Sequence, residues 1–156
     1  MANKFTYQVL RDTNTDAVIK LTGTFDGSAQ EANNVRIQAN TLYGALATNG
    51  YLVANSQGGS ANTTLSYYGL TLHRLWYDCA AGGDVQLYWQ ATSPLPLMIM
   101  NGNGEYDGAG NWTTIPNNAG TGKTGDIGVI TRGMAANDSY TMIIELRKEN
   151  EYYQRG

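Results

Sequence analysis

Between Tyr140 and Arg147 the chain reads YTMIIELR. Tyr140, Met142, Ile144 and Leu146 stand in one phase; Thr141, Ile143, Glu145 and Arg147 stand in the other. Successive side chains of a β-strand point to opposite faces, so the first set makes one apolar face for a core. The same period recurs outward from this segment. Val85, Leu87, Trp89 and Ala91 alternate with Gln86, Tyr88 and Gln90. Ala17, Ile19, Leu21, Gly23 and Phe25 alternate with Val18, Lys20, Thr22 and Thr24. Phe5, Tyr7 and Val9 alternate with Lys4, Thr6 and Gln8, and each of these runs is expected to place its apolar face on a core. Shorter runs occur at Val35, Ile37 and Ala39 and at Ile127 and Val129, and Thr64–Tyr77 is rich in strand-compatible aromatic, Leu and Thr residues.

Turn-forming clusters separate these runs: Asp12–Asp16 (DTNTD), Phe25–Gln30 (FDGSAQ), Gln57–Asn62 (QGGSAN), Ala80–Asp84 (AAGGD), Asn101–Gly110, Asn117–Gly125 and Ala135–Asp138. The spacing predicts an all-β chain, a single antiparallel β-sandwich of about eight strands. One domain over 1–148 and a charged C-terminal tail over 149–156 are expected. The one helix candidate is Asn40–Ala47 (NTLYGALA). Residues 101–125 form the longest stretch without a clear strand, apart from Trp112–Ile115, and a loop of that length reads as a contact surface.

Composition sets the limits. The chain has 156 residues, one cysteine and one histidine. Charged residues are 15% of it, against about 25% in a typical soluble domain. Gly (19) and Tyr (11) are plentiful, and Phe (2) is scarce. With 42% hydrophobic residues the chain is not compositionally disordered. A net charge of −3 argues against a broad basic face for nucleic acid. No apolar run reaches the roughly 20 residues of a membrane-spanning helix, so no membrane partner is expected. The first residues carry no apolar signal-peptide core, so synthesis in a reducing cytoplasm is expected and the sequons at Asn62, Asn111 and Asn137 read as by-products of composition.

The catalytic motifs fail on inspection. Gly122-Lys123-Thr124 ends a P-loop-like stretch, but Asn117 stands where the motif needs Gly, and a strand follows in place of a helix. Asn101, Asn103, Glu105 and Asp107 have the early rhythm of a calcium loop, yet Trp112 stands where the bidentate acid belongs. A polar hairpin tip is the simpler reading. His73 has no local nucleophile, and Cys79 has no nearby base to activate it, so it reads as an apolar filler. Asp78, Asp84, Glu105, Asp107 and Asp126 all fall at turns, and no glycosidase-like pair stands out. No enzyme activity, cofactor or metal is expected.

Contact residues are a better fit. Trp and Tyr dominate protein interfaces. Trp89 shares the core phase of its strand; Tyr88 faces the other way. Trp112 and Tyr106 lie in the long loop region. Leu95–Met100 (LPLMIM) is apolar on both faces and contains Pro96, which confines it to an edge or strand start. Leu95, Leu97, Met98 and Met100 are therefore expected at an interface or beneath a loop. Tyr152 and Tyr153 interrupt the charged tail, which reads either as a solvated end or as an arm reaching a neighbouring subunit.

Five segments together carry a family resemblance: Leu21–Ser28 (LTGTFDGS), Leu72–Asp78 (LHRLWYD), Val85–Thr92 (VQLYWQAT), Thr124–Arg132 (TGDIGVITR) and Asp138–Lys148 (DSYTMIIELRK). In order and character the chain resembles small virion structural proteins of tailed phages, especially phages of marine bacteria. The resemblance spans nearly its whole length. It implies a non-enzymatic virion component assembled in the host cytoplasm. Such proteins commonly serve as capsid decoration (cement) proteins, often trimers with jelly-roll-like folds that bind the major capsid protein. Others sit in the neck or tail. A carbohydrate-binding host-recognition module, with Trp112, Tyr106 and Tyr88 stacking on sugars, is the rival expectation.

Overall fold

The computed structural model describes residues 3–43, 51–53, 63–65, 69–80, 82–108, 110 and 113–148. In chain order the strands are β1 (Lys4–Asp12), β2 (Asp16–Thr24), β3 (Ala32–Ile37), β4 (Tyr51–Val53), β5 (Thr63–Leu65), β6 (Leu70–Ala80), β7 (Asp84–Trp89), β8 (Leu95–Met100), β9 (Asn103–Asp107), β10 (Ile115–Pro116), β11 (Ile127–Arg132) and β12 (Ser139–Lys148). They form a six-stranded sheet, ordered β1-β2-β12-β6-β10 with β9 also on β6, and a four-stranded sheet, ordered β3-β11-β7-β8. β4 and β5 pair separately. All pairings are antiparallel. The chain is all-β with two main sheets, and among the described residues no helix is long and apolar enough to cross a membrane.

One hydrophobic cluster joins the sheets. Ile19 and Leu21 of β2, Leu72 and Leu75 of β6, and Met142, Ile144 and Leu146 of β12 meet Val85, Leu87 and Trp89 of β7 and Ile127 and Val129 of β11. The period-2 reading of β2, β7 and β12 therefore holds, and Trp89 is fully buried as its phase requires. At Gly23 a Cβ would collide with the Tyr140 ring, so a bare backbone lets that ring lie against β2. Cys79 is buried, and burial, aided by Asp78 and Asp84, pushes its thiol up to about 11. It is an inert filler, as the sequence suggested.

Several expectations need correction. β1 does not bury its apolar phase: Phe5 packs on the core, but Tyr7 and Val9 are each 44% exposed. β1 is an edge strand, and the core cluster is built from the inner residues of its neighbours β2, β12 and β6, with only Phe5 of β1 packed against it. Val35 is exposed while Ile37 is buried, because two register shifts interrupt the β3–β11 pairing and Asn33 adopts φ 60°. There are twelve strands among the described residues where about eight were expected. One of the additional ones, β9, lies inside the supposed loop 101–125, while β10 starts at Ile115, the end of the segment excepted from that loop. The helix candidate shows only a 3-10 turn at Ala39–Thr41, and its residues 44–47 lie outside the described residues. β12 runs as far as Lys148, and this charged side chain is fully buried. The tail 149–156 lies outside the described residues.

Candidate contact surfaces

The register of the four-stranded sheet builds its outer face row by row. Val35, Gly128, Tyr88 and Pro96 lie side by side across four strands, followed by Ala32, Ile130, Gln86 and Ile99. Ile99 is 60% exposed and Val35 41% exposed, with half-buried Ile130 and Tyr88 between them. Tyr88 is held along its strand: its hydroxyl donates to Gln86 Oε1 at 2.9 Å, and Gln86 Nε2 donates to Asp84 Oδ2 at 3.1 Å. Beside Val35 the side-chain amides of Asn33 and Gln90 bond reciprocally at 2.8 and 3.1 Å. That amide pair lies over Gly128, where any side chain would displace it. The result is two uncharged rows, bounded by the Asp84–Arg132 pair and ending at the edge strand β8.

β8 reaches this arrangement through a bulge. Leu87 opposes Met98 and the next residue, Tyr88, opposes Pro96, so Leu97 is the extra residue. The bulge turns Leu97, Met98 and Met100 toward the core and Ile99 toward solvent. Leu97 and Met100 are thus core residues of the chain itself, which corrects their expectation as contacts. Met98 is half-buried against the core, and Leu95 is 36% exposed at the strand start. Tyr88, Leu95 and Met98 are the three expected contacts that belong to this sheet and keep solvent exposure.

The outer face of the six-stranded sheet is different in kind. Gln8, Lys20, Ile143, Trp76 and Glu105 form one row across five strands; Arg11, Val18, Glu145, Arg74 and Asp107 form the next. Ion pairs lace it: Arg11 to Asp16 at 3.0 Å and to Glu145 at 3.5 Å, and Arg74 to Asp107 at 3.3 Å; His73 Nδ1 also hydrogen-bonds Glu145 at 3.0 Å. Trp76 stands among them, 45% exposed. Tyr106 is paired with Leu75, one position along from the Trp76–Glu105 pair; it is half-buried against the core, and its hydroxyl donates to the Thr113 carbonyl.

Trp112, Tyr152 and Tyr153 lie outside the described residues. Asn103, Glu105 and Asp107 alternate along the strand β9, so they do not wrap a calcium-like loop. Among the described residues no group of three or more His, Cys, Asp or Glu is placed to hold a metal. Gly122-Lys123-Thr124 leads into β11, so no helix N-terminus stands ready for a phosphate. Sequence reasoning missed Ile99, whose phase depends on the bulge. It also left Trp76 among several aromatics, although its place next to Leu75 in the alternation marks it as outward-facing. In comparisons with known proteins, no family model, curated protein or solved structure matches the chain.

Proposed function

We propose that the chain is a non-enzymatic structural protein of a tailed-phage virion, a capsid decoration (cement) protein that binds the major capsid protein and stabilises the shell. In this reading the two sheets form a jelly-roll-like sandwich, and the protein acts as a homo-oligomer, a trimer by the family resemblance. The observation that carries the proposal is the pair of adjacent uncharged rows on the outer face of the four-stranded sheet, with exposed Val35 in one and Ile130 and exposed Ile99 in the next. Interface centres are depleted in charge and more apolar than the rest of the surface, and grouped exposed apolar residues mark such sites. The low charge of the whole chain points the same way. Each copy makes modest contacts, and the symmetry of the shell multiplies them into a stable lattice.

The test is a binding assay with purified chain and particles that lack it. Ile99→Asp places a carboxylate on the most exposed apolar residue of this face, on the edge strand β8. Its expected effect is a loss of particle affinity of about tenfold or more. Folding stability should change little, because Ile99 is 60% exposed in the free chain. Unchanged binding by Ile99→Asp would remove this face from the proposal.

A further inference from the structure

The outer face of the six-stranded sheet carries a second site that docking through the other sheet leaves open. Trp76 lies on β6, with β12 on one side and β9 on the other, yet 45% of it is exposed. Its neighbours across the strands are Ile143 and Glu105; one row on stand Glu145, Arg74 and Asp107. With Tyr106 at the sheet margin these residues line a cleft of ≈230 Å³. The polar groups are ordered within the chain itself. Arg74 Nε holds Asp107 Oδ1 at 3.3 Å, and Glu145 is held by His73 at 3.0 Å and Arg11 at 3.5 Å.

We infer that this cleft binds a neutral saccharide, with Trp76 as its stacking platform. An indole face carries a negative quadrupole, which suits the C–H face of a pyranose ring. Carboxylates accept hydrogen bonds from sugar hydroxyls, and a guanidinium donates to them in fixed geometry. Rigid strands and internal ion pairs keep these groups in place, so little ordering remains to be done on binding. Three carboxylates, Glu105, Asp107 and Glu145, stand against the single Arg74 in the lining, which disfavours anionic ligands such as nucleic acid or acidic polysaccharide. A protein partner fits less well. Dry interface centres exclude charge, and here the aromatic is ringed by it, in contrast to the Ile99 face.

This inference stands apart from the assembly reading, and the experiment separates them. The full chain is screened on an array of neutral oligosaccharides and bacterial surface polysaccharides, and the strongest neutral oligosaccharide is then titrated in solution. Trp76→Ala is expected to weaken that binding about tenfold or more, while Ile99→Asp leaves it unchanged. In a Trp112→Phe chain the oligosaccharide should also shield tryptophan fluorescence from iodide, since of the two remaining tryptophans Trp76 is exposed and Trp89 is buried. That readout leaves the cleft unmutated. Failure to bind any neutral oligosaccharide overturns the inference. So does equal affinity in Trp76→Ala, or binding confined to an oligolysine peptide, which would make the cleft a site for basic protein segments.

Discussion

Lys148→Ala is expected to lower folding stability by about 3–5 kcal/mol, the usual cost of removing one partner from a buried ion pair. Lys148 has no exposed surface although it is the last residue of β12. Its ammonium donates to Asp12 Oδ1, to the Thr13 carbonyl at 2.7 Å and to the Tyr43 carbonyl at 2.8 Å. Its backbone N–H donates to the Thr15 carbonyl at 2.8 Å. One side chain thus ties the last strand to the β1–β2 hairpin and to the segment after β3. Truncation leaves a carboxylate and two carbonyls without that donor, and it opens a cavity. Small domains hold only about 5–15 kcal/mol in total, so the loss is a large share. Lys148→Met restores volume without charge and should recover part of it. Asp12→Asn combined with Lys148→Met should recover more, because no lone carboxylate then remains. Urea denaturation at constant m-value measures all three.

The second large effect is at Glu31. It is 2% exposed and sits between the sheets, where its carboxylate accepts from the Tyr140 hydroxyl at 2.7 Å and from Arg36 Nε at 2.5 Å. Its backbone is fixed by Thr131, whose hydroxyl accepts the Glu31 N–H at 2.8 Å and whose own N–H donates to the Glu31 carbonyl at 3.1 Å. Around this centre the Arg36 guanidinium lies over the Phe5 ring at 4.0 Å, and Phe5, Phe25 and Tyr140 pack in sequence. Glu31→Ala strands a buried phenol and unpairs Arg36, with an expected loss of about 3 kcal/mol. Glu31→Gln keeps the shape and reads out the charge. Burial pushes the Glu31 carboxyl above its ordinary value, outweighing the bonds from Tyr140 and Arg36 that pull it down. The folded chain therefore binds this proton more tightly than the unfolded chain. Stability falls as pH rises from the ordinary carboxylate range through the raised value, and Glu31→Gln removes that slope. Asp16, held low by Thr13 and Arg11 against its desolvation, contributes the opposite slope in both proteins and cancels in the comparison.

The contrast between β12 and β8 explains what the sequence made legible. In β12 every second residue meets the core, so the alternation of Tyr140, Met142, Ile144 and Leu146 maps directly onto burial. In β8 the edge position was legible from Pro96, but a single bulged residue moves the phase, and Ile99 emerges where Leu97 and Met100 do not. β9 was hidden because its inward residues are Gly104 and Tyr106, too weak an apolar signal to read as a strand. Lys148 and Glu31 look like solvated charges in a linear reading. Their burial depends on partners 136 and 109 positions away, Asp12 and Tyr140, which no local pattern reveals. The Trp76 cleft is similar: the outward phase of Trp76 was readable, but the wall made by Glu105 and Asp107 exists only because β9 returns to pair with β6.

The central claim is that the chain is a repeated component of a virus shell, and counting it in purified particles tests that most directly. Quantitative mass spectrometry against the major capsid protein should find on the order of hundreds of copies per particle, as decoration of a symmetric shell requires. A count of about six to twelve would place the chain in the neck or tail and contradict the decoration reading. Absence from the particle would contradict the structural reading altogether.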